Sequence, residues 1–136
     1  VNFNMSDLWN QRSVGLKFWG FDSDPYELAN QFRVMSEANA IGEPHGLKNK
    51  FKENQVYLAK QLSKDEFWGD ALLELIKDLG GIKNILSTIG SIQPKNYFIV
   101  INIPVSDNFN GSGNDISKQC VKVLAKLNCD ISFNYI

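Results

Sequence analysis

Histidine and cysteine, the side chains most used in metal centres and nucleophilic sites, are scarce: the 136 residues include one histidine, His45, and two cysteines, Cys120 and Cys129. A metal site calls for several convergent His, Cys or carboxylate ligands, and no HExxH, CxxC or paired-histidine spacing occurs. Nucleophilic catalysis needs a base, usually histidine, oriented by a third group, and only His45 offers one. Two cysteines are too few for a disulfide framework, so a reducing, cytoplasmic compartment is expected. Long apolar runs are missing too. The longest, Tyr97 to Ile103, is interrupted by Asn102 and closed by Pro104, well short of the roughly 18 residues a membrane-spanning helix requires. The first residues hold neither a positive patch nor an apolar stretch, so no secretory signal is expected, and Met5 can serve as the native start. Nor is there an excess of one sign of charge. Fourteen Lys and Arg against fifteen Asp and Glu leave a net charge of -1, which excludes a uniformly basic nucleic-acid coat or a polybasic membrane binder. No cofactor and no metal are expected.

What is present suffices for one core. Hydrophobic residues make up 43% of the chain and aromatics 12%, enough to offset the ordering entropy of a single domain. Residues 1–136 are therefore read as one domain, with 1–12 as an N-terminal extension and no internal repeat or linker. Val14, Leu16 and Phe18 alternate with Gly15, Lys17 and Trp19 as in a half-buried strand. Asp24-Pro25-Tyr26-Glu27 then combines an N-cap, a first-turn proline and a glutamate, which opens a short helix to about Phe32. Residues 34–53, with Gly42, Pro44 and Gly46, show no period and read as a long loop, the kind that is functional or mobile.

Val56, Leu58 and Leu62 mark a second strand ending near Ser63. Ser63-Lys64-Asp65-Glu66 has the capping-box pattern, and Trp68, Leu72, Leu75 and Leu79 follow at helical spacing until Gly80-Gly81. A second amphipathic piece carries Ile82, Ile85, Leu86 and Ile89. Residues 96–103 are apolar on both sides, as in a central strand. After a polar loop, Asp115 is expected to cap a helix with Ile116, Cys120, Val123, Leu124 and Leu127 on one face, and residues 130–136 alternate as a last strand. The elements predict a two-layer α+β fold, with an antiparallel or mixed sheet of about four strands and three to four helices mainly on one face. The other face would then gather Trp19, Tyr57, Phe98 and Val100. Either the N-terminal segment with Phe3, Leu8 and Trp9 covers them, the favoured expectation, or a patch remains for a partner.

The near-neutral sum conceals segregation. Residues 64–79 hold Asp65, Glu66, Asp70, Glu74 and Asp78 against Lys64 and Lys77, a net of -3; residues 43–60 hold Lys48, Lys50, Lys52 and Lys60 against Glu43 and Glu53, a net of +2. Glu66, Asp70, Glu74 and Asp78 recur at i, i+4, on a stripe centred roughly 160° from the apolar face of the same helix. Like charges at this spacing, with Asp78 at the negative end of the helix dipole, are unfavourable for the isolated helix. The stripe is either an ordinary solvated face or a surface that steers a basic partner. Lys118, Lys122 and Lys126 form a similar basic stripe, which suits a helix C-terminus or contacts phosphates. Lys48, Lys50 and Lys52 flank Phe51, either as a solvated edge or as a patch on which a base stacks. Asn110-Gly111-Ser112-Gly113 lacks the lysine and spacing of a phosphate loop and reads as a turn. Asp22 and Asp24 would make an acid–base pair, but Asp24 is already explained as a cap.

Phe21-Asp22-Ser23-Asp24-Pro25, the strand around Tyr57, the long leucine-rich helix and the closing Leu127-Asn128-Cys129-Asp130-Ile131-Ser132-Phe133-Asn134-Tyr135 resemble the bacterial domain-of-unknown-function family 4279. The resemblance spans most of residues 13–136 and implies a small α/β domain that ends in an L-x-x-D-I-x-x-x-Y strand. Tyr57 stands where that family often has tryptophan, and the family brings no catalytic residues. As a class, small, histidine-poor, mildly acidic domains of this kind are similar to immunity proteins of contact-dependent growth inhibition and related polymorphic toxin systems. That similarity implies a monomeric, non-enzymatic protein whose partner is one toxin domain, commonly a nuclease, and not a membrane or nucleic acid. Glu66, Asp70, Glu74 and Asp78 are then the expected partner-binding residues. The alternative is a small-ligand or nucleic-acid-binding module that uses the 34–53 segment and the Lys118/Lys122/Lys126 stripe.

Overall fold

The computed structural model describes residues 11–63, 65–104 and 116–136. The alternation at its start becomes β1 (Ser13–Trp19). Asp24 Oδ1 then accepts the Tyr26 N–H at 2.9 Å and Pro25 fills the first turn of α1 (Pro25–Asn30), as the capping pattern predicts. There follow β2 (Met35–Asn39), the two-residue strands β3 (Pro44–His45) and β4 (Asn49–Lys50), and β5 (Gln55–Gln61). Next come α2 (Trp68–Asp78), α3 (Gly81–Ile92), β6 (Asn96–Ile103), α4 (Lys118–Leu127) and β7 (Asp130–Tyr135). The main sheet is mixed and ordered β2-β5-β1-β6-β7; β3 and β4 form a separate hairpin. Neighbours are antiparallel except β6 and β7, which are parallel and therefore joined through a crossover helix, α4.

One face of the sheet presents Val14, Leu16, Phe18, Val56, Leu58, Ile99 and Ile101. These pack with Leu28, Leu72, Leu75, Leu79, Ile85, Cys120, Leu124 and Leu127 from the four described helices in one continuous core. The two-layer α+β expectation therefore holds, with the described helices on one face. The sheet has five strands rather than four, because residues 34–53 are not a loop. β2 pairs with β5 along its whole length, and Pro44 and His45 pair with Lys50 and Asn49. β2 gives no sequence signal because all five of its residues are half-buried at the sheet edge, so no apolar–polar contrast marks its faces.

Two helix starts differ from expectation. α2 begins at Trp68, not Ser63: Glu66 Oε1 does accept the Ser63 N–H at 3.2 Å, but Glu66 N–H also bonds the Ser63 carbonyl, which closes a separate turn before the helix. α4 is capped by Ser117, whose hydroxyl accepts the Cys120 N–H at 3.1 Å; Asp115 lies outside the described residues, and Ile116 is exposed rather than part of the apolar face.

On the opposite sheet face the register groups Gly15, Lys17, Trp19, Tyr57, Ala59, Phe98, Val100 and Asn102, as the alternation predicts. None of the described helices packs there, yet Tyr57 and Val100 are only 3% and 1% exposed. Lys17, Trp19 and Phe98 of the same face are half-buried; the segment with Phe3, Leu8 and Trp9, expected to cover this face, lies outside the described residues. The Tyr57 ring lies across Gly15, where a Cβ would come within 2.1 Å of Tyr57 Cε1 and 2.8 Å of the Leu58 carbonyl. Gly15→Ala is therefore expected to lower the unfolding free energy by about 1–3 kcal/mol through overpacking, read as a lower urea midpoint at unchanged slope. An unchanged midpoint contradicts the close approach.

Candidate functional site

The four acidic residues of the α2 region have different surroundings. Glu74 forms an ion pair with Lys60 of β5. The hydrogen bond from Lys60 holds the Glu74 carboxyl below its ordinary range, and the same bond, with the charges of Glu74, Glu66 and Asp78, raises the Lys60 ammonium against a small burial cost. Of the four, Glu74 is the one in contact with Lys60 among the described residues, while Glu66 and Asp78 act on it through their charge. Glu66 is also the turn residue before the helix and its carbonyl accepts from Arg12 Nη2 at 3.5 Å. Asp70 stands apart. It lines a shallow groove of about 200 Å³ with Phe67, Gly69, Ile116 and Ser117, and its charge adds to burial in raising the Cys120 thiol. Asp70 and Asp78 are exposed and in no ion pair among the described residues.

The other sequence candidates scatter. Asp22 is exposed and Asp24 caps α1. His45 lies in the hairpin with its ring stacked on Phe51, centroids 4.3 Å apart and planes within 11°. Cys120 is buried in the core, and burial raises the thiol of Cys129 as well, so neither is an activated nucleophile. Lys118, Lys122 and Lys126 are exposed along α4. Residues 110–113 lie outside the described residues. Among the described residues no group of three His, Cys, Asp or Glu is placed to hold a metal ion, and no helix is long and apolar enough to cross a membrane.

Sequence reasoning missed a polar cluster on the sheet face opposite the described helices. Ser13 Oγ and the Tyr57 hydroxyl lie 3.1 Å apart, Asn102 Nδ2 donates to both at 3.2 and 3.3 Å, and Asn134 Nδ2 donates to Asn102 Oδ1 at 3.1 Å. Burial pushes the Tyr57 phenol up to about 12, so it stays protonated and serves as a hydrogen-bonding hub rather than a base. Lys17 and Glu37 flank Tyr57 across the ladder. Burial lowers the lysine, partly offset by the charge of Glu37, and raises the glutamate, partly offset by a hydrogen bond with Asn39 and by the charge of Lys17. The only trace of this cluster in the sequence is Asn102, a polar residue inside an apolar strand. The chain matches no known family model, no curated protein and no solved structure.

Because the folded-state pKa of Glu37 lies above its ordinary 4.5, the native state holds that proton to higher pH than the unfolded chain. The stability Glu37 contributes is full below the unfolded value and falls as pH rises through the raised one. Glu37→Gln removes this titration. The unfolding free energy of the variant minus that of the wild type should therefore increase as pH rises above 4.5; a pH-independent difference contradicts the account of a desolvated carboxylate.

Proposed function

We propose that the protein works by binding, not catalysis: an immunity protein that neutralises a cognate bacterial toxin domain in the cytoplasm by covering its active site or the approach of its substrate. The observation that carries this reading is the outward side of α2. Asp70 and Asp78 are exposed and in no ion pair among the described residues, and Glu74 is paired with Lys60. An electronegative surface of this kind speeds encounter with a basic partner and fixes its orientation. A nuclease domain presents such a partner surface, since its substrate channel must attract phosphates. Apolar area for affinity lies beside the charge: Phe67 and Ile116 border Asp70 and are 49% and 40% exposed. Such walls suit the methylene stem of a lysine or arginine whose head meets Asp70.

The test is co-expression with the C-terminal domain of the protein encoded immediately upstream. The expected outcome is restored growth and a one-to-one complex on gel filtration, with both weakened by Asp70→Lys together with Asp78→Lys. Growth arrest that co-expression leaves unrelieved contradicts the reading.

A further inference from the structure

A hollow of about 570 Å³ lies where β1 ends and β5 begins, lined by Trp19, His45, Lys48, Lys50, Lys52 and Gln55 among others. Trp19 and Gln55 are cross-strand partners, and the remaining wall is the β3–β4 hairpin. That wall is firmly held. Asn54, itself buried, accepts the Ile41 N–H at 2.9 Å and donates to the Phe21 carbonyl at 2.8 Å. Phe51 is buried and its N–H bonds the Glu43 carbonyl at 2.9 Å. Glu43 in turn accepts from the Tyr26 hydroxyl, which raises that phenol to about 12. The segment is therefore a built feature rather than a loose loop.

The charges are arranged to leave the hollow positive. Lys95 forms an ion pair with Glu53 and also sets its ammonium 5.8 Å from the Trp19 ring centroid. This neutralises the carboxylate lining the hollow and leaves Lys48, Lys50 and Lys52 exposed and without an ion pair among the described residues. Phe51, the aromatic that sequence spacing suggests for stacking, is not available: it is buried and His45 covers its ring. The half-buried indole of Trp19 offers an aromatic surface in its place.

We propose that this hollow binds a nucleotide, with the base against Trp19 and the phosphate among Lys48, Lys50 and Lys52. The volume falls in the range of small-ligand sites, about 300–1,000 Å³, and an aromatic face beside a cluster of cations is the pairing that single nucleotides and single strands require. The net charge of -1 excludes a coat of phosphate contacts but not one local site. The hollow is independent of the acidic side of α2, so its failure leaves the toxin-binding reading standing, and the reverse.

A free mononucleotide and a nucleotide within a single strand share this chemistry, and two probes separate them: AMP by calorimetry, and a fluorescein-labelled eight-residue oligothymidylate by anisotropy, each on the full chain at low salt. Saturable binding of AMP assigns a free nucleotide, and of the oligonucleotide alone a strand; either supports the proposal. Trp19→Ala should weaken binding about 5- to 150-fold, the usual worth of one stacked base, while Trp19→Phe retains most of it and so separates stacking from loss of fold. For the oligonucleotide, replacing Lys48, Lys50 and Lys52 by Gln should flatten the salt dependence, which three phosphate contacts set at a log–log slope of about -2. No binding of either probe, or binding that Trp19→Ala leaves unchanged, overturns the proposal.

Discussion

The burial of Leu72, Leu75 and Leu79 against β1 and β5 is the constraint on which the rest of the molecule depends. These side chains are at most 1% exposed and sit in one core with Leu16, Leu58 and Ile101. At about 25 cal/mol per Å² of apolar area, a few such side chains outweigh the mutual repulsion of surface carboxylates. The rotation of α2 is therefore set by its leucines, and Asp70, Glu74 and Asp78 must face out whatever that costs the isolated helix. The same core holds β1 in the middle of the sheet, and β1 carries Trp19 to one end and Gly15 under the Tyr57 ring.

The features with a strong period were legible in the sequence. Apolar spacing marks one side of α2 and the alternation of β1, capping residues mark the start of α1, and a nearly continuous apolar run marks β6. β2 was invisible because its five residues share one intermediate environment. The acidic stripe was legible as a stripe, but not its division. Lys60 meets Glu74 only because β5 passes beside α2, and Asp70 turns toward Ile116 and Ser117 because of how α4 packs on α2. Ser13 and Asn102 lie 89 residues apart in the chain. Only the β1–β6 register brings them together, so Asn102 looked like a break in an apolar run when it is the centre of a hydrogen-bonded cluster.

Charge segregation, hidden in a sum of -1, takes a definite spatial form. The acidic residues sit on a helix packed over one face of the sheet, while Lys48, Lys50 and Lys52 belong to the hairpin and line the hollow with Trp19, whose register places it on the other face. Each group lies at the surface, so its field reaches over a Debye length of about 8 Å at physiological salt. A surface that presents both signs separately selects partners by orientation, which net charge alone cannot do.

The central claim, that α2 steers a basic protein partner, is tested most directly by the association rate of the toxin domain with the wild type and with Asp70→Lys/Asp78→Lys across ionic strength. The account predicts a rate at least about tenfold slower for the variant at low salt, with the two rates converging at high salt as screening removes long-range attraction. Equal association rates at low salt would contradict it.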